Sequence, residues 1–379
     1  MKHPFLDLAT VNQPYIDELQ TAAARVIASG RYIGGPEVEA LEDDLCRLCG
    51  VSNAVGVSNG LDALRLILRA YIVMGVMAPG DEVIVPANTY IASFLAISDS
   101  GLVPVPVEPS PDTMNLDTSL VEAAVTPRTR AIMPVHLYGR ICWDGRLADI
   151  ARRHGLRVIE DAAQSIGARS AVEGLHGSVM AGGLGDAAGL SFYPTKNVGA
   201  LGDAGAVLTH DADLAATVRA LANYGSDRRY HNLYQGFNCR LDPIQAALIR
   251  VKLAHVETEN ADRFARAVAY DNTLDSPSVV KPSLSPTLVD NVWHQYVIRV
   301  PADRRQWLID SLADRGIGTD IHYAVPSHRQ PCYADTLGHL SLPVTELLAS
   351  EIVSLPIGRG TSVKDASDIA RTINQLFNS

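Results

Sequence analysis

Between residues 50 and 210 the chain alternates short apolar runs with stretches of helical period. NAVGVS, DEVIVPA, VPVPVEP, AIMPVHLYG, LRVIEDA, AGLSFYP and GAVLTH are short apolar runs that read as strands. Between them DALRLILRAY, TYIASFLAIS and GRLADIARRHG place apolar residues at helical spacing. Strands separated by helices imply crossover connections and a mostly parallel central sheet flanked by helices, an α/β fold. Ligands of such sheets collect beyond the carboxyl ends of the strands, so the residues that follow each apolar run are the first to consider for chemistry.

A long helical pattern from Asp242 to about Tyr270 then links a large domain, residues 1–250, to a smaller C-terminal α/β domain, residues 251–379. In the latter HQYVIRV and GTDIHY read as strands, while 304–315 and the segment from Val363 read as helices. EALEDDLCRLCG reads as a helix, which makes Cys46 and Cys49 part of its apolar face rather than a redox pair or zinc site.

A length of 379 residues exceeds what one core usually serves, in keeping with two domains. Hydrophobic residues at 47% and charged residues at 20% mark a folded chain rather than a disordered one. The net charge of −10 argues against a nucleic-acid partner, which would call for a basic stripe. The most apolar stretch, LRLILRAYIVMGVM, is interrupted by Arg65 and Arg69, so no membrane partner is expected. Five scattered cysteines form no disulfide framework, and with no apolar leader visible the expected compartment is the cytoplasm. The eleven histidines show no metal-binding spacing, and no metal is expected.

Three segments carry candidate chemistry. In SFYPTKNVGALGDAGAV, Lys196 lies between a strand end and a Gly-rich turn. Loss of water there lowers a lysine pKa, and a neutral amine suits Schiff-base formation; taken alone, the residue reads equally as a surface-loop lysine. Gly199, Gly202 and Gly205 lack the dinucleotide-loop spacing and lead into a strand. In VIEDAAQSIGA, Asp161 follows a strand, where a carboxylate can keep a pyridine nitrogen protonated and its ring an electron sink. It also reads as a helix cap, with Gln164 three residues on. In VSNGLDAL the amides of Gly60 and Leu61 open a helix and favour a phosphate, although many strand–helix turns look similar.

EDAAQ, SFYPTKN and NCRLDPIQAAL together resemble the DegT/DnrJ/EryC1/StrS family of sugar aminotransferases. SGRYIGGPEVEALE, GIGTDIHYAVPSH and SLPIGRG extend the resemblance over nearly the whole chain. NGLDALRLILRAY, VPANTYIASFLAI, MPVHLYGR and YGSDRRYHNLYQGFN look most like the members that aminate C3 of dTDP-3-keto-6-deoxyhexoses. The resemblance implies the fold-type I architecture of pyridoxal 5'-phosphate (PLP) aminotransferases, with pyridoxamine phosphate (PMP) as the aminated form. Lys196 matches the Schiff-base lysine, Asp161 the partner of the pyridine nitrogen and Gln164 that of the phenolic oxygen. Ser191, Gly60 and Leu61 match the phosphate ligands; Leu61 replaces a common threonine and offers only its amide. Tyr90 matches the aromatic stacked on the ring. Asn238 matches a residue that reaches the phosphate of the neighbouring subunit, implying a homodimer with shared active sites.

On the substrate side the resemblance puts Tyr193, His322 and Tyr323 in the sugar pocket and Tyr32, Tyr224 and His328 near the nucleotide. Each of these also reads as an ordinary packing residue. Thr195 stands where the subgroup often has glycine, and Asp227, Arg228 and Arg229 read as a solvated loop in which an arginine can meet a diphosphate. The expected activity is transfer of an amino group from an amino acid, L-glutamate by family analogy, to C3 of the keto-sugar nucleotide, giving dTDP-3-amino-3,6-dideoxyhexose. The alternatives are amination at C4 of a 4-keto sugar nucleotide, a dehydratase on the same scaffold, and a regulator that binds without turnover. Such dehydratases carry histidine in place of the lysine, and here Lys196 is present.

Overall fold

The computed structural model describes residues 2–284 and 289–378. Seven strands build the central sheet: β1 Asn53–Val57, β2 Glu82–Pro86, β3 Val103–Val107, β4 Thr129–Ile132, β5 Arg157–Asp161, β6 Ala187–Ser191 and β7 Gly205–Thr209. Their order is β1-β7-β6-β5-β4-β2-β3. Pairs from β6 through β3 are parallel, whereas β7 runs antiparallel to both β6 and β1.

The period-two alternation of strands sorts their side chains between two cores. Val83, Val85 and Val207 join a cluster with Leu64, Ile67, Phe94 and Val218, from helices Gly60–Val73, Ile91–Asp99 and Ala212–Ala222. Their neighbours in sequence face the other way. Ala206 and Leu208 pack with Leu41, Leu45 and Ile249 from helices Pro36–Cys49 and Pro243–Leu253, and Ile84 packs with Leu147 and Ile150 from helix Gly145–His154. The last helix is started by Asp144, whose carboxylate accepts the Leu147 amide at 2.8 Å, and stopped by Gly155 at φ +63°.

The pattern expected as one long helix from Asp242 is two, Pro243–Leu253 and Val256–Thr273. The His255 amide turns back to the Lys252 carbonyl, a tighter bond that ends the first helix. A small exposed hairpin, β8 Ser226–Arg228 and β9 His231–Asn232, precedes them.

In the C-terminal layer HQYVIRV forms β10, Tyr296–Arg299, paired antiparallel with β11, Ile352–Leu355. The expected strand GTDIHY is not one; a single bridge joins Asp320 to Ser354. IVSL is buried at every position and can sit inside a sheet, whereas residues 319–323 are partly exposed and send His322 and Tyr323 into a cavity. Helices Ala302–Ala313 and Val363–Asn378 cover this layer. The start of the chain packs here too: His3 bridges Ile317, and the Phe5 ring lies 5.6 Å from that of His322. Among the described residues no helix is long and apolar enough to cross a membrane.

Candidate active site

Gly60, Leu61, Tyr90, Asp161, Gln164, Ser191, Tyr193, Lys196, His322 and Tyr323 line one cavity of about 520 Å³. It sits beyond the carboxyl ends of β5 and β6, which finish at Asp161 and Ser191. Because β7 is reversed, its first residue, Gly205, returns to the same rim, and Lys196 hangs in the loop between them.

At one end of the cavity the backbone is tightly drawn together. The Asn59 side chain accepts the Asp62 amide at 2.8 Å and caps helix Gly60–Val73, leaving the amides of Gly60 and Leu61 without an acceptor among the described residues. A Cβ on Gly60 would lie 2.6 Å from Cβ of Ser191, and one on Gly205 would lie 2.4 Å from the Asn59 carbonyl. Glycine is required at both positions. Two free amides at a helix start, with the Ser191 hydroxyl beside them, form a cradle that fits a phosphate.

At the other end Asp161 is held from two sides. Its Oδ2 accepts the Ser93 hydroxyl at 2.7 Å, and its Oδ1 accepts the Ala163 amide at 3.2 Å. Ser93 in turn lies 3.0 Å from the Thr89 hydroxyl. Neither was anticipated from sequence: Ser93 is in the first turn of helix Ile91–Asp99 and Thr89 in the bend just before it, and nothing in the sequence links either to Asp161. The carboxylate is 6% exposed.

The Lys196 amine makes no hydrogen bond to any described residue. Burial pulls its pKa down to about 8, and the nearby charge of Asp161 opposes that shift. Gln164 bridges two neighbours: its Oε1 accepts the Tyr138 amide at 2.5 Å, and its Nε2 donates to the Tyr323 hydroxyl at 3.1 Å. The Tyr323 ring lies 5.0 Å from that of Tyr90, and burial raises its phenol pKa. The His322 Nδ1 pairs with the Ser354 hydroxyl at 2.8 Å, and burial keeps its imidazole neutral-leaning.

His294 and Gln295 also line the cavity and were missed; their only sequence signal is a place directly before β10. His294 pairs with Asn197 at 3.0 Å, and burial, reinforced by the positive charge at Lys196, drives its pKa well below the usual value.

Other expected residues lie outside this cavity. Tyr32 is 58% exposed and Tyr224 51% exposed, with Arg240 over its ring at 5.4 Å. Asn238 is exposed. His328 is buried, with Nε2 3.0 Å from Glu346, and does not line this cavity. Asp227, Arg228 and Arg229 sit on the exposed hairpin, Asp227 against His231 at 2.6 Å. Cys49 is buried on its helix, with its thiol pushed up to about 12 by burial.

Residues 14–374 match the DegT/DnrJ/EryC1/StrS aminotransferase family. The chain is 47% identical over 357 residues to a dTDP-3-amino-3,4,6-trideoxy-alpha-D-glucose transaminase of Streptomyces venezuelae, covering 94% of this chain and 91% of that protein. It is 44% identical over 372 residues to a dTDP-3-amino-3,6-dideoxy-alpha-D-galactopyranose transaminase of Aneurinibacillus thermoaerophilus, covering 98% and 99%. Among solved structures, S. venezuelae DesV in complex with a ketimine intermediate superposes with a TM-score of 0.92 at 44% identity, over 100% of this chain and 99% of that one. On this evidence the chain belongs to the DegT/DnrJ/EryC1/StrS aminotransferase family.

Proposed function

We propose that the protein is a PLP-dependent aminotransferase that moves an amino group from L-glutamate to C3 of a dTDP-3-keto-6-deoxyhexose, giving dTDP-3-amino-3,6-dideoxyhexose. The observation that carries this reading is a half-buried amine with no hydrogen bond among the described residues, lining one cavity with a buried carboxylate and a phosphate cradle. When bound, PLP supplies an aldehyde that condenses with amines and a protonated ring that withdraws electrons from the reacting carbon.

The residues present fit that group. The amides of Gly60 and Leu61 and the Ser191 hydroxyl would hold its phosphate, Asp161 its ring nitrogen, Gln164 its phenolic oxygen, Tyr90 its ring face and Lys196 its aldehyde carbon. The Lys196 Nζ, free of acceptors among the described residues, is the group able to take a proton from the substrate carbon and return it. Ser93 fixes the Asp161 carboxylate by donating to Oδ2. Tyr193, His322 and Tyr323 would contact the sugar. The choice of C3 and of thymidine rests on two relatives whose names specify 3-amino dTDP sugars.

Asn238 is exposed and lies outside its own chain's cavity, as a residue serving a neighbouring subunit would. Tyr32 and Tyr224 share that position, so the reading includes a homodimer with shared sites, acting in the cytoplasm. Incubating the PLP-loaded protein with L-glutamate and a dTDP-3-keto-6-deoxyhexose should release 2-oxoglutarate and a 3-amino sugar nucleotide, both read by mass spectrometry. Turnover of the 4-keto isomer alone overturns the position; binding without turnover overturns the activity.

A further inference from the structure

A second cavity of about 250 Å³ adjoins the first. Thr195, His294, Gln295 and His322 line both, so it opens beside the residue that precedes Lys196. Phe5, Leu6 and Leu8 of the N-terminal segment and Ile357 of the C-terminal layer give it apolar walls, and Asp320 and Gly358 complete its rim. Set among them is a guanidinium, Arg263 of helix Val256–Thr273, only 7% exposed.

Arg263 has a different environment from its neighbours. Arg266 stands 3.6 Å from Asp262, and Arg359 is paired with Glu259. Arg263 has no carboxylate within 4 Å among the described residues. Its Nη1 donates to the carbonyls of Trp293 and His294, each at 3.3 Å, and its Nε and Nη2 have no acceptor among the described residues. Burial and the like charge of Arg266 pull its pKa down to about 10 against the opposing charge of Glu259, which is itself paired with Arg359, and this still leaves Arg263 protonated at neutral pH. A desolvated cation with no carboxylate paired directly to it is costly, and a planar fork of donors facing a cavity matches a carboxylate. The cavity also contains Asp320, whose side chain is 58% exposed, so water screens its charge.

The same geometry limits which carboxylate fits. His294 lies within the electrostatic reach of both Lys196 and Arg263. His294 lines both cavities and its carbonyl accepts from Arg263, while the guanidinium lines only the annex and Lys196 only the first cavity, so Arg263 is placed to meet a group that extends beyond the reacting carbon. Apolar walls suit the methylenes in between.

We propose that this annex is the subsite for the side chain of a dicarboxylic amino donor and that Arg263 binds its distal carboxylate. The inference rests on the aminotransferase reading above and adds the residue that selects the donor. It is tested on the PLP-loaded enzyme by the amine-donating half-reaction, following the cofactor's visible absorbance with L-glutamate and with L-alanine. Arg263→Gln should lower the glutamate-to-alanine ratio of kcat/KM by about 30-fold, with Arg263→Lys recovering part of it. Leu6→Trp, at a half-buried wall position, should narrow the annex and lower the same ratio by about 10-fold. In the unaltered enzyme glutarate should compete with glutamate at least about 10-fold more tightly than butyrate.

A ratio unchanged in the folded variants, equal losses for both donors, or equal inhibition by the two acids overturns the subsite. Should the unaltered enzyme accept nitrogen from no donor, the aminotransferase reading itself fails, which is a different outcome from turnover without donor selection.

Discussion

Two lysines, one half-buried and one buried, separate the reacting region from the scaffold behind it. Burial brings both Lys196 and Lys252 down to about 8. Lys252, in helix Pro243–Leu253, gives its protons to the Gly199 carbonyl at 2.7 Å and to the Asn12 side chain at 3.0 Å. Lys196 has no such partner and faces open space. A depressed pKa therefore reports lost hydration in both, and only the one with room and no acceptor is placed to attack a carbonyl. The two are also connected: Gly199 belongs to the loop that carries Lys196, so the structural lysine holds the position of the reactive one.

The largest test of this contrast is Lys196→Ala, which should cut turnover by at least about 10⁴-fold and abolish the Schiff-base absorbance. A fully active variant would sink it. Asp161→Asn removes the charge that opposes Lys196's depression and the partner of the ring nitrogen; kcat should fall by about 10²-fold or more in steady-state assays.

Chemical labelling sharpens the comparison. A lysine lowered from 10.5 to about 8 is neutral above that value, so aldehyde capture by the apoprotein should rise with a midpoint near pH 8. Borohydride trapping and peptide mapping should then find label at 196 and not at 252. The same signs govern stability: the contribution of each neutral amine is complete above the unfolded value of 10.5 and is lost as pH falls through 8.

Lys252→Met should cost about 1–3 kcal/mol by leaving two acceptors unpaired, read as a lowered Tm, while kcat stays within about threefold. Loss of activity on the scale of the Lys196 variant would erase the distinction. The smallest effect is expected for Ser93→Ala, which removes one hydrogen bond from Asp161 and should lower kcat/KM by about 3- to 10-fold.

The central sheet was legible because each of its strands carries its own apolar run, and the ends of β5 and β6 led directly to Asp161, Ser191 and Lys196. Residues whose role depends on a remote partner were not. Ser93 acquires meaning only because Asp161 lies beside it in space, 68 positions away. Arg263 looks like any helical arginine until Trp293 and His294 close over it. GTDIHY has the composition of a strand, but IVSL, buried on both faces, takes the place beside β10. The break after Leu253 is likewise silent, since the apolar period continues through it.

The reversal of β7 has a mechanical consequence. The span 192–204 joins neighbouring strands at one rim and is tethered at both ends, so the amine's position is set by the length of a short bridge. Inserting even one residue there would swing Lys196 away from Asp161. An insertion at the exposed Val172, in the longer excursion from β5 to β6, would be absorbed at the surface. Tolerance to lengthening thus differs sharply between two connections that leave adjacent strands of one sheet.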